Sequence, residues 1–130
     1  MSRYGIESVQ PLYTTADAEA AISQFDGTPY RQSRTVGKNL TATFYEAGHI
    51  LGSAISIVKH TVNHRTRTLC FSGDIGRFGK PILRDPALNF EAEDRNIDLL
   101  VMESTYGDRV HDPVVDLKPR LKTVLNQTFD

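Results

Sequence analysis

Val101-Met102-Glu103-Ser104-Thr105-Tyr106-Gly107-Asp108-Arg109 puts an acid and a glycine turn at the end of an apolar run. Upstream, Ala47-Gly48-His49-Ile50-Leu51-Gly52-Ser53 and Phe71-Ser72-Gly73-Asp74-Ile75-Gly76-Arg77 repeat the arrangement. Each time an apolar run stops at a glycine-containing turn that presents a potential ligand: His49, Asp74 or Glu103. Strand ends followed by tight turns are where side chains distant in sequence converge on one site.

The segments around these turns read as a mixture of strands and helices. Leu40, Ala42 and Phe44 alternate with Thr41, Thr43 and Tyr45, the period of a half-buried strand that ends at Glu46 just before the His49 turn. Residues 54–62 and 66–71 are β-rich runs separated by Asn63-His64-Arg65, which predicts an antiparallel hairpin whose second arm leads to Asp74. Ile97 to Met102 is a short, nearly continuous apolar run, typical of a buried strand. Between them, residues 76–96 carry glycine, prolines and charges and read as a long functional or connecting loop.

Outside this region, Thr14 and Asp17 have capping-box spacing, with Ala18, Ala21, Ile22 and Phe25 following at helical spacing. A helix over residues 15–25 is expected, closed by Asp26-Gly27. Residues 29–36 suggest a short strand or an extended connection. Asp116 can cap a second helix in which Leu117, Leu121, Val124 and Leu125 share a face, with Pro119 tolerated in the first turn. That helix reaches Asp130 without a glycine stop, so the chain is expected to end in mid-architecture.

A length of 130 residues suits one domain with a real core. The 15 Lys and Arg against 16 Asp and Glu leave a net charge of −1, so no global charge signature of nucleic-acid binding exists, although a local basic groove is compatible with it. Cys70 is the only cysteine and lies in an apolar run, which excludes an intrachain disulfide and predicts a buried free thiol. No stretch approaches the roughly 20 apolar residues of a membrane span, and Met1 to Gly5 lacks a secretory apolar core. No membrane association and a cytoplasmic location are expected.

Chemically, a neutral imidazole such as His49 is a common zinc ligand, and a carboxylate such as Asp74 can bridge two metals. The same residues have plainer readings, His49 capping a backbone carbonyl and Asp74 stabilising its turn. Glu103 can orient a histidine or support metal-bound water, or it can form a loop salt bridge with Arg109. His60 and His64 straddle the hairpin turn and read as exposed. His111 can face a phosphate or simply be solvated. Arg31, Arg34, Lys38, Arg77, Lys80 and Arg84 supply phosphate contacts only if they share a face.

Taken in order, the three turns resemble the RNA-processing β-CASP nucleases of the metallo-β-lactamase superfamily. Glu103-Ser104-Thr105-Tyr106-Gly107-Asp108 is similar to the cleavage-and-polyadenylation endonuclease type and its bacterial and archaeal relatives, and Thr43 to His49 matches as well. The resemblance covers nearly all of the chain. It implies an α/β (α+β) fold, a partial αββα sandwich of mostly antiparallel strands with flanking helices. It also implies that His49 is a zinc ligand, Asp74 a metal-bridging carboxylate, and Glu103 the first acidic motif of the β-CASP group, with Asp74 and Glu103 serving catalysis.

The complete family site resembles a two-zinc centre with seven ligands. Its His-x-His-x-Asp-His signature and its last histidine do not occur in these residues, nor does the β-CASP insertion that holds RNA. Residues 1–130 are therefore expected to form a single partial metallo-β-lactamase domain, with zinc binding weak or absent and no activity alone. RNA is the expected partner of the complete enzyme. The competing expectation is a non-catalytic interaction module that pairs with a complementary chain or forms a homo-oligomer through an uncovered sheet face. A small-ester hydrolase of the same superfamily is disfavoured by the Glu103 to Asp108 motif.

Overall fold

In the computed structural model, which describes residues 11–111 and 117–129, a five-stranded sheet has the order β1-β2-β3-β4-β5. The strands are β1 (Arg34–Gly37), β2 (Leu40–Glu46), β3 (Ala54–Val62), β4 (Arg65–Phe71) and β5 (Leu99–Val101). The first four pair antiparallel, whereas β5 runs parallel to β4. Helices α1 (Thr15–Ile22) and α2 (Leu117–Phe129) complete an α+β fold consistent with a partial metallo-β-lactamase sandwich.

The hairpin is present and its turn is tighter than the sequence suggests, because Asn63 and His64 both take positive φ, 49° and 60°. That is the handedness a two-residue type I′ connection requires, and it lets Arg65 join the strand opposite Val62. His60 and His64 are exposed, as expected.

Pairing places Thr43 beside Ile57 and Ile57 beside Cys70, with Tyr45 beside Ile55, so these side chains share one face. Tyr45, Ala47, Ile55, Ile57 and Cys70 form the core, and Ala87, Phe90 and Ile97 pack against it. The region from 76 to 96 is thus more than a connector. As part of the crossover that a parallel β4–β5 pair demands, it is the layer covering this face. Its anchor is Asp94, 2% exposed, which accepts a hydrogen bond from the Tyr45 hydroxyl at 2.5 Å. Lys59 Nζ lies 2.5 Å from the other Asp94 oxygen, as a charge contact without hydrogen-bond alignment. The Tyr45 oxygen also accepts the Glu91 N–H, so one phenol and one carboxylate fasten the crossover to β2 and β3.

The opposite face carries Ala42, Val58 and Leu69 in one row and Phe44, Ser56 and Phe71 in the next. It opens to solvent toward β5, where Leu99, Leu100 and Val101 are about half exposed on both faces. The run expected as a buried strand is therefore an exposed edge among the described residues, because only β4 flanks it. It is held by Asp98, whose carboxylate accepts the Thr68 N–H and pairs with Arg67.

Helix α1 has the predicted capping box, with Thr14 and Asp17 bonding reciprocally. It ends at Ile22 instead of Phe25, since Gln24 and Phe25 switch to the tighter bonds to Ala21 and Ile22. Neither helix buries a residue, and the apolar stripe of α2 at Leu117, Leu121, Val124 and Leu125 is exposed. The expected cap at Asp116 lies outside the described residues. Among the described residues, no helix is long and apolar enough to cross a membrane.

Candidate metal and phosphodiester site

His49 follows β2 in a loop that is bonded to itself. Ser53 Oγ accepts the His49 and Ile50 N–H groups, while Ala47 N–H donates to the Ser53 carbonyl. Gly48 N–H donates to the Glu46 carboxylate, and Tyr30 donates to the Ser53 carbonyl from outside the loop. The imidazole is thus presented from a fixed backbone, half-buried.

Two glycines bring this loop onto the turn that follows β4. Gly76 N–H donates to the Ala47 carbonyl at 2.7 Å, and a Cβ at Gly76 would fall 1.7 Å from the Gly48 oxygen. Gly48 itself has φ of +66° and no room for a Cβ against Arg84 and Pro86. Only backbone without side chains can approach this closely. As a result, His49 Nε2 and Asp74 Oδ2 lie 3.9 Å apart.

The third turn locks onto the second. Buried Ser72 donates its N–H to the Val101 carbonyl, and its hydroxyl oxygen accepts the Glu103 N–H. The Glu103 carboxylate in turn accepts the Ile75 N–H at 2.5 Å. That N–H, together with the Thr105 hydroxyl and, more weakly, the neighbouring His49, holds the Glu103 carboxyl below the usual carboxylate range. The anticipated alternative partner, Arg109, lies elsewhere: its guanidinium sits over the Tyr106 ring, with Nε 4.0 Å from Asp108.

His49, Asp74 and Glu103 therefore line one cleft of about 270 Å³, together with Arg77, Lys80, Tyr106 and His111. His111 is the member that sequence reading left in a solvated loop. It stacks against Tyr106 with ring centres 3.8 Å apart, a contact across five residues of loop that follows neither helical nor strand periodicity. The six basic residues do not share a face: Arg31 pairs with Glu91 and Arg34 with Asp26, whereas Arg77 and Lys80 flank the cleft. A larger hollow of about 690 Å³ is lined by Phe44, Ile50, Leu51 and Ile82, and neither Asp74 nor Glu103 reaches it.

As a zinc site, this arrangement is a partial fit. The 3.9 Å separation of His49 and Asp74 is wider than the roughly 3.4 Å between two donors on a tetrahedral zinc, so the side chains must close slightly to share one ion. Three protein donors are the usual minimum, and among the described residues no group of three metal-binding side chains is assembled. Glu103 is not part of such a group, and its carboxylate already accepts from Ile75 and Thr105.

No family model matches the chain. Among curated proteins it is 33% identical to Ribonuclease TTHA0252 of Thermus thermophilus over 120 residues, which is 92% of this chain and 26% of that protein. It is 32% identical to Endoribonuclease YSH1 of Yarrowia lipolytica over 127 residues, 97% of this chain and 14% of that protein. Transcription termination factor FttA of Pyrococcus abyssi is 32% identical over 121 residues, 92% of this chain and 18% of that protein. The chain spans about a quarter or less of the length of these relatives. Over that span it is a homologue of the β-CASP nucleases of the metallo-β-lactamase superfamily.

Proposed function

We propose that this chain is part of a zinc-dependent RNA-processing nuclease, contributing His49 and Asp74 as metal ligands and Glu103 as a positioning acid. The observation that carries the reading is the meeting of the His49 and Asp74 turns across Gly48 and Gly76. Residues 1–130 supply one partial metallo-β-lactamase domain, and the remaining ligands and the RNA-holding insertion lie outside these residues. When bound, the zinc pair would supply an activated water and neutralise charge on the phosphodiester during hydrolysis. His49 and Asp74 present donor atoms 3.9 Å apart from turns whose backbones are pressed together at Gly48 and Gly76. Glu103, gripped by the Ile75 N–H, stands ready to orient a histidine from outside these residues. Arg77 and Lys80 bring positive charge to the same cleft, suited to the phosphates of RNA. The buried free thiol of Cys70 supports a reducing, cytoplasmic setting.

Histidine-selective NMR during a zinc titration tests the ligand assignment. The His49 imidazole is expected to respond first, His60 and His64 to stay unmoved, and Asp74→Ala to weaken the response. A titration in which His60 or His64 responds before His49 overturns it.

A second reading, an interaction module that pairs with a complementary chain or with itself, is favoured by the open sheet face. Phe71, Leu99 and Val101 are exposed there together. Size-exclusion chromatography over a concentration series discriminates: a monomer at every concentration that binds no apolar dye counts against it.

A further inference from the structure

Tyr106 and His111 form a ring stack that the core does not account for. Tyr106 is 48% exposed, and His111 and Arg109 are exposed too, so the stack covers little of the fold. Its geometry is nonetheless that of a close ring stack. The His111 ring lies 3.8 Å from Tyr106 at a 32° tilt, and the Arg109 guanidinium is 4.6 Å from the Tyr106 centroid.

The position of the stack points to a ligand. A second cleft, of about 340 Å³, is lined by Met102, Ser104 and Gly107 and lies against the one that holds His49 and Asp74. The two share Ile75, Arg77, Glu103, Thr105, Tyr106 and His111. A volume of this order falls in the ~300–1,000 Å³ range of small-ligand sites. Its wall offers flat aromatic surface at one side and the cationic Arg77 at another. Single-stranded nucleic acid is bound by that combination, bases stacking on aromatic rings while cations follow the phosphates.

We propose that the Tyr106–His111 stack is a platform for the nucleobase adjoining the phosphodiester held at His49 and Asp74. The proposal rests on the RNA reading of the cleft. In this arrangement the phosphate faces the His49–Asp74 cleft and its neighbouring base continues the stack into the second cleft. Arg109, over the Tyr106 ring, adds cation–π attraction that keeps the ring in place. Stacking tolerates any base, so the platform sets the register of the strand without selecting a sequence.

Aromatic ¹H–¹³C spectra of the 130-residue chain, titrated with a short oligoadenylate and with an abasic ribose-phosphate oligomer of equal length, test this. The expected result is an upfield shift of the Tyr106 and His111 ring protons with oligoadenylate only. Its affinity should exceed that of the abasic oligomer by about tenfold. Tyr106→Ala should erase that difference, and Tyr106→Phe, which keeps the ring, should preserve it. Equal affinity for both oligomers with unmoved Tyr106 resonances overturns the platform while leaving the RNA reading in place. Binding of neither oligomer overturns both.

Discussion

Glu103 Oε1 accepts the backbone N–H of Ile75 at 2.5 Å across 28 residues of sequence, joining the turn after β5 to the turn that carries Asp74. Because Gly76, next in the chain, is already pressed on Gly48, one short segment links all three turns. The site is therefore organised by backbone contacts, and its side chains are positioned as a consequence.

Glu103→Ala should free the Ile75 amide. Its hydrogen exchange should speed up and its proton resonance move upfield, while the amides of β2 and β3 keep their protection. Unchanged exchange at Ile75 would mean that the Glu103 carboxylate does not hold the turn.

Gly76→Ala should be among the most damaging single methyl additions in the chain. The added Cβ meets backbone, which cannot rotate away, so a loss of about 1–3 kcal/mol or more is expected in urea unfolding. Gly27→Ala adds the same methyl in open space and should change little. Zinc response at His49 should weaken in Gly76→Ala beyond what lost stability explains.

Asp94→Ala removes the acceptor of the Tyr45 hydroxyl and the partner of Lys59. It should cost about 3–5 kcal/mol, the range for breaking a buried charge pair, and release the crossover from the core. Thermal unfolding together with hydrogen exchange of the Glu91 amide, which donates to the Tyr45 oxygen, checks both effects.

The same cluster predicts alkaline sensitivity. Burial, then the hydrogen bond to Asp94, pushes the Tyr45 phenol from 10.0 up to about 12. The folded state holds this proton where the unfolded chain has lost it. The contribution is therefore complete below about pH 10 and disappears as pH rises through about 12. Urea midpoints should fall over that window in the wild type and fall less in Tyr45→Phe. A parallel decline in both proteins would contradict the assignment to Tyr45.

Much of this was readable from residues. Thr14 and Asp17 announced their cap, and the β-rich arms flanking Asn63 and His64 announced the hairpin. The three glycine turns announced His49, Asp74 and Glu103 as members of one cleft. What alternation did not settle was which face of β2 lies inward. Thr43 and Tyr45 are the buried pair on the covered face because the crossover delivers Phe90, Asp94 and Ile97 to their side. That is a long-range fact with no local signature. The apolar periods of Ile97 to Met102 and of α2 were read correctly as strand and helix, yet periodicity implies only a surface to be covered. Among the described residues that cover is missing. His111 joined the site through a ring contact with Tyr106 that no spacing rule encodes.

The central claim is that these residues hold part of a metal site and not the whole of it. Calorimetric titration of zinc into the 130-residue chain, followed by incubation of the same sample with single-stranded RNA, tests that claim most directly. The predicted result is weak binding that His49→Ala abolishes, with the RNA left intact. Tight stoichiometric zinc accompanied by robust RNA cleavage would contradict it.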